Sequence, residues 1–417
     1  MILARLSATR SVCVGRSHRH IVHQGGWEMA DINAFREEVR DWLDGHCPEG
    51  ARAGGSDDTG DAMQRWRDAL IERGWTVPTW PKEYGGGGLD RAQARVLAEE
   101  LGRIRARPAI MGGMGTGMLG PTLLEYGTEE QKKRHLIPIT RGETRWCQGY
   151  SEPGAGSDLA GLQTKAVDQG DHFLINGQKI WTSGAQFANR MFALVRTDPE
   201  APKHEGISFV LLDMDQPGIT VKPIRTIGGN SPFNEVFFDD AIANKDDLVG
   251  ELNRGWTVGK RLLQHARSGQ GGLGGVGGAR PRPRAFPLAD TAKQYRGEKD
   301  GRIEDSAVRD RVLTLGMNQT ALQLSQRRVM AENRSGETMS FATSIFKYVS
   351  TNLTQELTDL RSQIMGTQGI GWEGGSFDQS ELDTTRGWLG SRAMTIYGGS
   401  NEIQLNIIAK RVLDLPD

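Results

Sequence analysis

HFLINGQKIW, residues 172–181, is the passage of this 417-residue chain that reads most plainly as β structure. Asn176-Gly177 separates HFLI from QKIW. Both residues tolerate positive φ, so the pair predicts two strands joined by a two-residue hairpin turn. Other short β-prone runs flank it: TRWCQGY (144–150), MFALVR (191–196), ISFVLLD (207–213) and VFF (236–238). Together they predict a compact β domain over 144–250.

On either side the pattern is helical. Phe35, Val39, Trp42 and Leu43 share one face at helical spacing, with charges opposite. Further helices are predicted over 61–73 and 89–104. WTVPTWPKEYGGGG (75–88) between them is a loop by its Pro and Gly content. Thr128 and Gln131 have the capping-box spacing, and the helix they start should stop before Pro138. Helical character returns at Gly255, with long helices over 305–333, 341–365, 379–395 and 401–413. Helices, then strands, then helices argue for an α+β fold rather than an alternating parallel sheet. SGQGGLGGVGGARPRPRAFP (268–287) should break any helix; its glycines would let a bulky ligand approach the backbone.

Composition narrows the function. A net charge of −1 gives no global field for nucleic acid or an anionic membrane. Cys13, Cys47 and Cys147 are widely spaced, which suggests a reducing compartment and neither a zinc site nor a redox dithiol. No apolar run is long enough to span a bilayer. Residues 1–28 carry Arg5, Arg10, Arg16 and Arg19 against the single acid Glu28. They read as a disordered leader, either a mitochondrial transit peptide or an extension from a start codon placed too early. The second is favoured, because Met29 opens the domain-like MADINAFREEVRDWL (29–43). It places the protein in a bacterial cytoplasm; a transit peptide would place it in the mitochondrial matrix. His18, His20 and His23 lack the accompanying carboxylates or thiolates of a metal site.

GAGSD (154–158) follows Glu152-Pro153. Free backbone N–H groups in such a turn can hold phosphate oxygens, although many short glycine motifs are only turns. The larger pattern is more specific. WPKEYGG (80–86), YGTEEQKKRHLIPI (126–139), QGYSEPGAGSD (148–158), NGQKIWTSGA (176–185), QIMGTQG (363–369) and IYGGSNEIQLNIIAKRVLDLP (396–416) occur in this order. From about residue 32 to 415 the chain resembles the acyl-CoA dehydrogenases.

The resemblance implies an N-terminal helical domain (29–143), a middle β domain (144–250) and a C-terminal four-helix domain (251–417). It implies a tetramer, of identical or of different chains, with FAD between the β domain and the C-terminal helices. By position, Tyr150, Ser151, Gly156 and Ser157 should line the flavin and pantetheine, and Trp181 and Ser183 the isoalloxazine ring. Gln363, Gly366 and Gly369 should meet the ADP moiety held by a partner subunit, and Ser400 and Glu402 the cofactor's phosphates and ribose. Ser157, Arg267, Tyr397 and Gly398 should contact the acyl-CoA. Read alone, Trp181 is as compatible with a strand-end core residue as with a site residue, and Ser151 and Ser157 are compatible with turn residues. No metal is implied.

Desaturation of an acyl-CoA needs a base for the α-proton and a polarised thioester carbonyl. The family's glutamate base stands at the third residue of an IYEGT-like segment, or before an arginine on the first C-terminal helix. Here those positions hold Gly398 and Ala266, neither able to take a proton, although the Gly398 backbone N–H could polarise the thioester. His265 should face about 100° away from Ala266 on a helix, and Glu402 is better placed as a helix-dipole partner. Three readings stay open: an FAD-dependent acyl-CoA dehydrogenase, or a subunit of one, passing electrons to an electron-transferring flavoprotein, with its base function altered or supplied from outside; a flavin-dependent acyl-CoA lyase; and a non-catalytic FAD-binding subunit of a heteromeric dehydrogenase.

Overall fold

The computed structural model describes residues 21–53, 59–108, 113–270, 288–332 and 342–416, with backbone only for 21–30, 59, 266–270 and 330–332. The architecture is α+β. An N-terminal helical part holds α1 (Ile21–His46), α2 (Thr59–Glu72), α3 (Arg91–Arg103), α4 (Gly120–Tyr126) and α5 (Glu129–Thr140). Helix α1 takes in the last residues of the expected leader. Phe35, Val39, Trp42 and Leu43 do form its inner face, packed on Trp66, Trp75 and Leu97. Reciprocal capping boxes start α3 at Asp90 and α5 at Thr128. Helix α5 nevertheless runs through Pro138. The proline sits in the last turn, where only its own bond to the Arg134 carbonyl is lost. Beyond it, Arg141 N–H still reaches the Ile137 carbonyl (3.2 Å) and Glu143 N–H the Pro138 carbonyl (2.9 Å).

The middle part is a seven-stranded sheet of β1 (Trp146–Gly149), β2 (Lys165–Asp168), β3 (His172–Ser183), β4 (Arg190–Arg196), β5 (Ile207–Asp213), β6 (Ile219–Ile224) and β7 (Phe233–Asn244). The strands run in the order β1-β4-β2-β3-β7-β6, with β5 on β4. Alternation along β4 splits the core. Phe192 and Leu194 pack with α4, α5 and Leu262, while Met191, Ala193 and Val195 face Phe173, Ile175, Val210 and Val236.

The expected hairpin at Asn176-Gly177 is absent. HFLINGQKIWTS is one continuous strand, antiparallel to β7, with a register shift between Ile175 and Gly177. A two-residue turn of the expected type needs positive φ at both residues, and only Gly177 has it (φ 147°). Asn176 instead exchanges side-chain bonds with Asp240 across the strands (2.8 and 3.0 Å), so the pair makes a bulge. The hairpin turn lies earlier, between β2 and β3, where Gly170 takes φ 96°.

The C-terminal part holds α6 (Gly255–Gln270), α7 (Leu288–Arg296), α8 (Ser306–Glu332), α9 (Ala342–Met365), α10 (Gln379–Ser391) and α11 (Asn401–Arg411). Residues 268–270, expected in a loop, continue α6; the rest of the glycine-rich stretch, 271–287, lies outside the described residues. Among the described residues no helix is long and apolar enough to cross a membrane.

Candidate cofactor and thioester site

The QGYSEPGAGSD segment leaves β1 and is pinned to β3 by a buried ion pair. Lys179 has no exposed side-chain surface, and its Nζ donates to Glu152 Oε1 (2.7 Å) and the Tyr150 carbonyl (3.1 Å). Glu152 also accepts from the backbone of Thr164 (2.9 Å) and Gln163 (2.6 Å). Ile180 N–H closes the junction on the Ser151 carbonyl (2.8 Å). Burial pushes the Lys179 ammonium down to about 8 against the pull of Glu152. Burial alone would raise the Glu152 carboxyl; the Lys179 charge and the backbone donors hold it below its ordinary value. Sequence reasoning missed both residues. The available signal was one charge of each sign inside the two neighbouring motifs.

Two residues past Lys179 the register of β3 shifts again, and Trp181 takes φ 59° with 55% of its surface exposed. Its ring meets the Phe233 ring edge-on (6.1 Å, 88°). It is therefore not a strand-end core residue. Ser183 pairs with Phe233 on β7 and is half-buried, as is Ser151. Ser157 is exposed, and a Cβ on Gly154 or Gly156 would meet nothing within 4 Å. An exposed aromatic plane held by a strained backbone, beside an open glycine turn, fits a flat ring with a phosphorylated tail such as FAD. Tyr150 stands apart. Its ring is buried against Phe192 and Phe209, and its hydroxyl lies 3.4 Å from the Gly259 carbonyl.

The QIMGTQG segment ends α9. Gln363 is exposed, and its amide oxygen accepts from Arg311 (2.7 Å) while its carbonyl accepts from Arg296. Gly366 turns the chain at φ 60°. Gly369 is buried, its carbonyl held by Ser362 (2.8 Å) and Thr385 (3.1 Å); a Cβ there would come 2.4 Å from the Ser362 carbonyl.

At the start of α11, Gly398 and Gly399 take φ 69° and 89°. A Cβ on Gly398 would meet nothing within 4 Å, so the backbone and not the space disfavours a side chain there. Tyr397 is 47% exposed, and partial burial raises its hydroxyl. Ser400 caps the helix on Ile403 N–H (3.4 Å). Glu402 is exposed in the first turn, its carboxyl lowered by its own backbone N–H and the Ser400 hydroxyl.

Ala266 and Arg267 fall in the last turns of α6; their side chains lie outside the described residues. His265 faces α4. Its Nε2 is 3.2 Å from Glu125, which Arg261 grips through two bonds of 2.7 Å. Burial, the largest influence, lowers the imidazole.

The structure thus brings Ser151 and Glu152 beside Lys179–Ser183. Among the described residues no hydrogen bond joins this group to the 363–369 or 398–402 segments. The β domain does meet the C-terminal part where a Cβ on Gly229 would come 2.9 Å from the ring of Trp372, in the connection between α9 and α10.

Family models for the acyl-CoA dehydrogenase N-terminal, middle and C-terminal domains match residues 29–143, 147–241 and 253–413. Acyl-CoA dehydrogenase IpdE1 of Mycolicibacterium smegmatis is 37% identical over 406 residues, covering 93% of this chain and 99% of the relative. The solved Tcur3481-Tcur3483 steroid ACAD superposes with a TM-score of 0.71 at 30% identity, covering 93% of this chain and 98% of that one. The ChsE4-ChsE5 complex from Mycobacterium tuberculosis gives 0.68 at 27% identity with the same coverage. This chain belongs to the acyl-CoA dehydrogenase family of flavoprotein oxidoreductases.

Proposed function

We propose that this chain is one subunit of a heteromeric, FAD-dependent acyl-CoA dehydrogenase, in which a different chain supplies the base that takes the α-proton. The observation that carries this reading is the loss of both carboxylates: Ala266 stands at one base position and Gly398, with φ 69°, at the other. A positioned base contributes about 10²–10⁴-fold, so the isolated chain should turn over slowly at most. The two solved relatives support a mixed assembly, since each is described as a pair of differently named chains. The steroid ACAD at 30% identity supports a large, rigid acyl group as substrate.

In this reading Trp181 and Ser183 flank the flavin ring, and Ser151, Gly156 and Ser157 hold its neighbourhood and the pantetheine. Gln363, Gly366 and Gly369 meet the ADP moiety of a partner's cofactor. Bound FAD supplies a two-electron acceptor, reoxidised by an electron-transferring flavoprotein. The Gly398 backbone N–H donates to the thioester carbonyl and makes the α-proton more acidic. Arg267 and Tyr397 line the acyl-CoA.

Anaerobic titration with an acyl-CoA panel, including a steroid side-chain thioester, tests the reading through flavin absorbance. Bleaching should be slow or absent in the isolated chain and should appear when a glutamate-bearing partner chain is co-expressed. Ala266→Glu should raise the isolated chain's bleaching rate by about 10²-fold. Full bleaching by the unmodified chain alone would sink the external base. Cleavage of the thioester substrate with no net bleaching would mark a lyase. A complex that binds ligand and never bleaches would mark a non-catalytic subunit.

A further inference from the structure

We propose that Gln404 is a positioning residue for the thioester: its buried amide fixes the two peptide planes that follow Gly398 and so holds the Gly398 N–H towards the acyl-CoA carbonyl. The inference rests on the reading that this turn polarises the thioester.

Two consecutive glycines in the left-handed region have many other conformations open to them. Something must select this one. Gln404, with no exposed surface, lies beneath the turn, and its Nε2 donates to the carbonyls of Gly399 (3.2 Å) and Gly398 (3.5 Å). Both acceptors are carbonyls, so the amide must present its nitrogen to them. In a trans peptide the N–H points opposite to the C=O. Carbonyls of 398 and 399 held inward therefore turn the N–H groups of Gly399 and Ser400 outward and fix the chain on the C-terminal side of the Gly398 amide. Tyr397 N–H is anchored on the Ala393 carbonyl (3.0 Å), so the Gly398 amide lies between two fixed ends.

The support beneath Gln404 is itself anchored. Asn401, 8% exposed, receives bonds from Lys347 and Thr351 on α9 (3.2 Å each) and donates to Asn352 (3.1 Å). Gln404 Oε1, by contrast, is buried without a hydrogen-bond partner among the described residues. A leucine or methionine would fill the same space with no unpaired amide oxygen, but would leave the Gly398 and Gly399 carbonyls without this donor. The donor end, spent on the glycine carbonyls, accounts for the choice.

The test uses the FAD-loaded, assembled protein and calorimetric binding of two ligands: an acyl-CoA thioester, and the matching S-alkyl-CoA thioether, which lacks the carbonyl. Gln404→Met matches the side chain in length; Gln404→Asn keeps an amide that cannot reach, and serves if the first variant folds poorly. The expected result is thioester affinity weakened about tenfold with thioether affinity unchanged. Equal weakening of both ligands, or no weakening of either, would overturn the positioning role and leave the acyl-CoA reading intact. Wild-type protein that binds neither ligand would overturn the acyl-CoA reading and this inference with it.

Discussion

Glu100 shows how much one buried carboxylate can hold. It is 2% exposed on α3 and receives Arg36 and Arg40 from α1 (2.9 Å each) and Arg103 (2.7 Å). Burial alone would raise its carboxyl; the three guanidiniums carry it down to about 2. A depressed carboxyl contributes stability above its unfolded value of about 4.3, and loses it as pH falls through the folded value. Denaturant unfolding should therefore lose roughly 2 kcal/mol between pH 6 and pH 2 through this group. Glu100→Gln should be about 2 kcal/mol less stable at pH 7, with that share of the pH dependence gone. An unchanged pH slope in the variant would refute the assignment. The Lys179–Glu152 pair makes a different demand. Lys179→Met leaves a buried carboxylate with only its two backbone donors, at a cost of about 3–5 kcal/mol, and adding Glu152→Gln should recover part of the loss. A thermal-melting cycle of the single and double variants measures the coupling. None of this was legible in the sequence. Glu100 sits in a charge-rich helix among ordinary surface acids, and only the fold shows which of them is enclosed. Lys179 reads as an exposed strand residue until the Glu152 turn is seen to cover it.

At the level of elements, most helix positions were legible because their caps and their 3.6-residue spacing are local. The capping box at Thr128 and the inner face of α1 needed no distant information. Strands were harder to read. Asn176-Gly177 carries the same local signal whether it makes a hairpin or a bulge, and the choice is made by β7, some sixty residues away. The bulge has a measurable consequence. Gly177 has φ 147°, and a Cβ there would come 2.7 Å from the Thr164 Cα, a backbone atom that cannot swing aside. Gly177→Ala should destabilise the protein by roughly 2 kcal/mol, about one positive-φ penalty plus a local shift. For a chain of this length, a melting point lowered by only a few degrees is expected, with the strand content in far-UV circular dichroism preserved. A melting point equal to wild type would show that β3 can take up the extra carbon and that the close approach is not a constraint.

At the scale of the molecule, the candidate site draws on three separate stretches of the chain. The Trp181 shelf, the Gln363–Gly369 turn and the Gly398–Gly399 turn share no hydrogen bond among the described residues, and in the proposed mixed assembly a second subunit would add its own surfaces to them. The motifs were legible as a set, while the surface that each one faces was not, because motif order carries no such information. Helix α8 gives this a physical handle. Leu313, Met317 and Leu324 are 60%, 71% and 58% exposed, and at 100° per residue they fall within about 40° of one another. Three exposed apolar side chains on one face of a 27-residue helix are costly to leave in water, and a helix of a neighbouring subunit is a surface that would cover them. The double substitution Leu313→Lys and Met317→Lys should leave the folded chain's melting point within a few degrees of a monomeric reference, since neither side chain is buried within the chain. In sedimentation velocity the same protein should shift from an oligomer towards a monomer. If, as proposed, the ADP end of the cofactor rests on a neighbour, bound FAD should fall in step. Retention of the full complement of FAD by a monomeric variant would show that one chain holds the cofactor by itself, and the assembly would then have to be explained by the shared base alone.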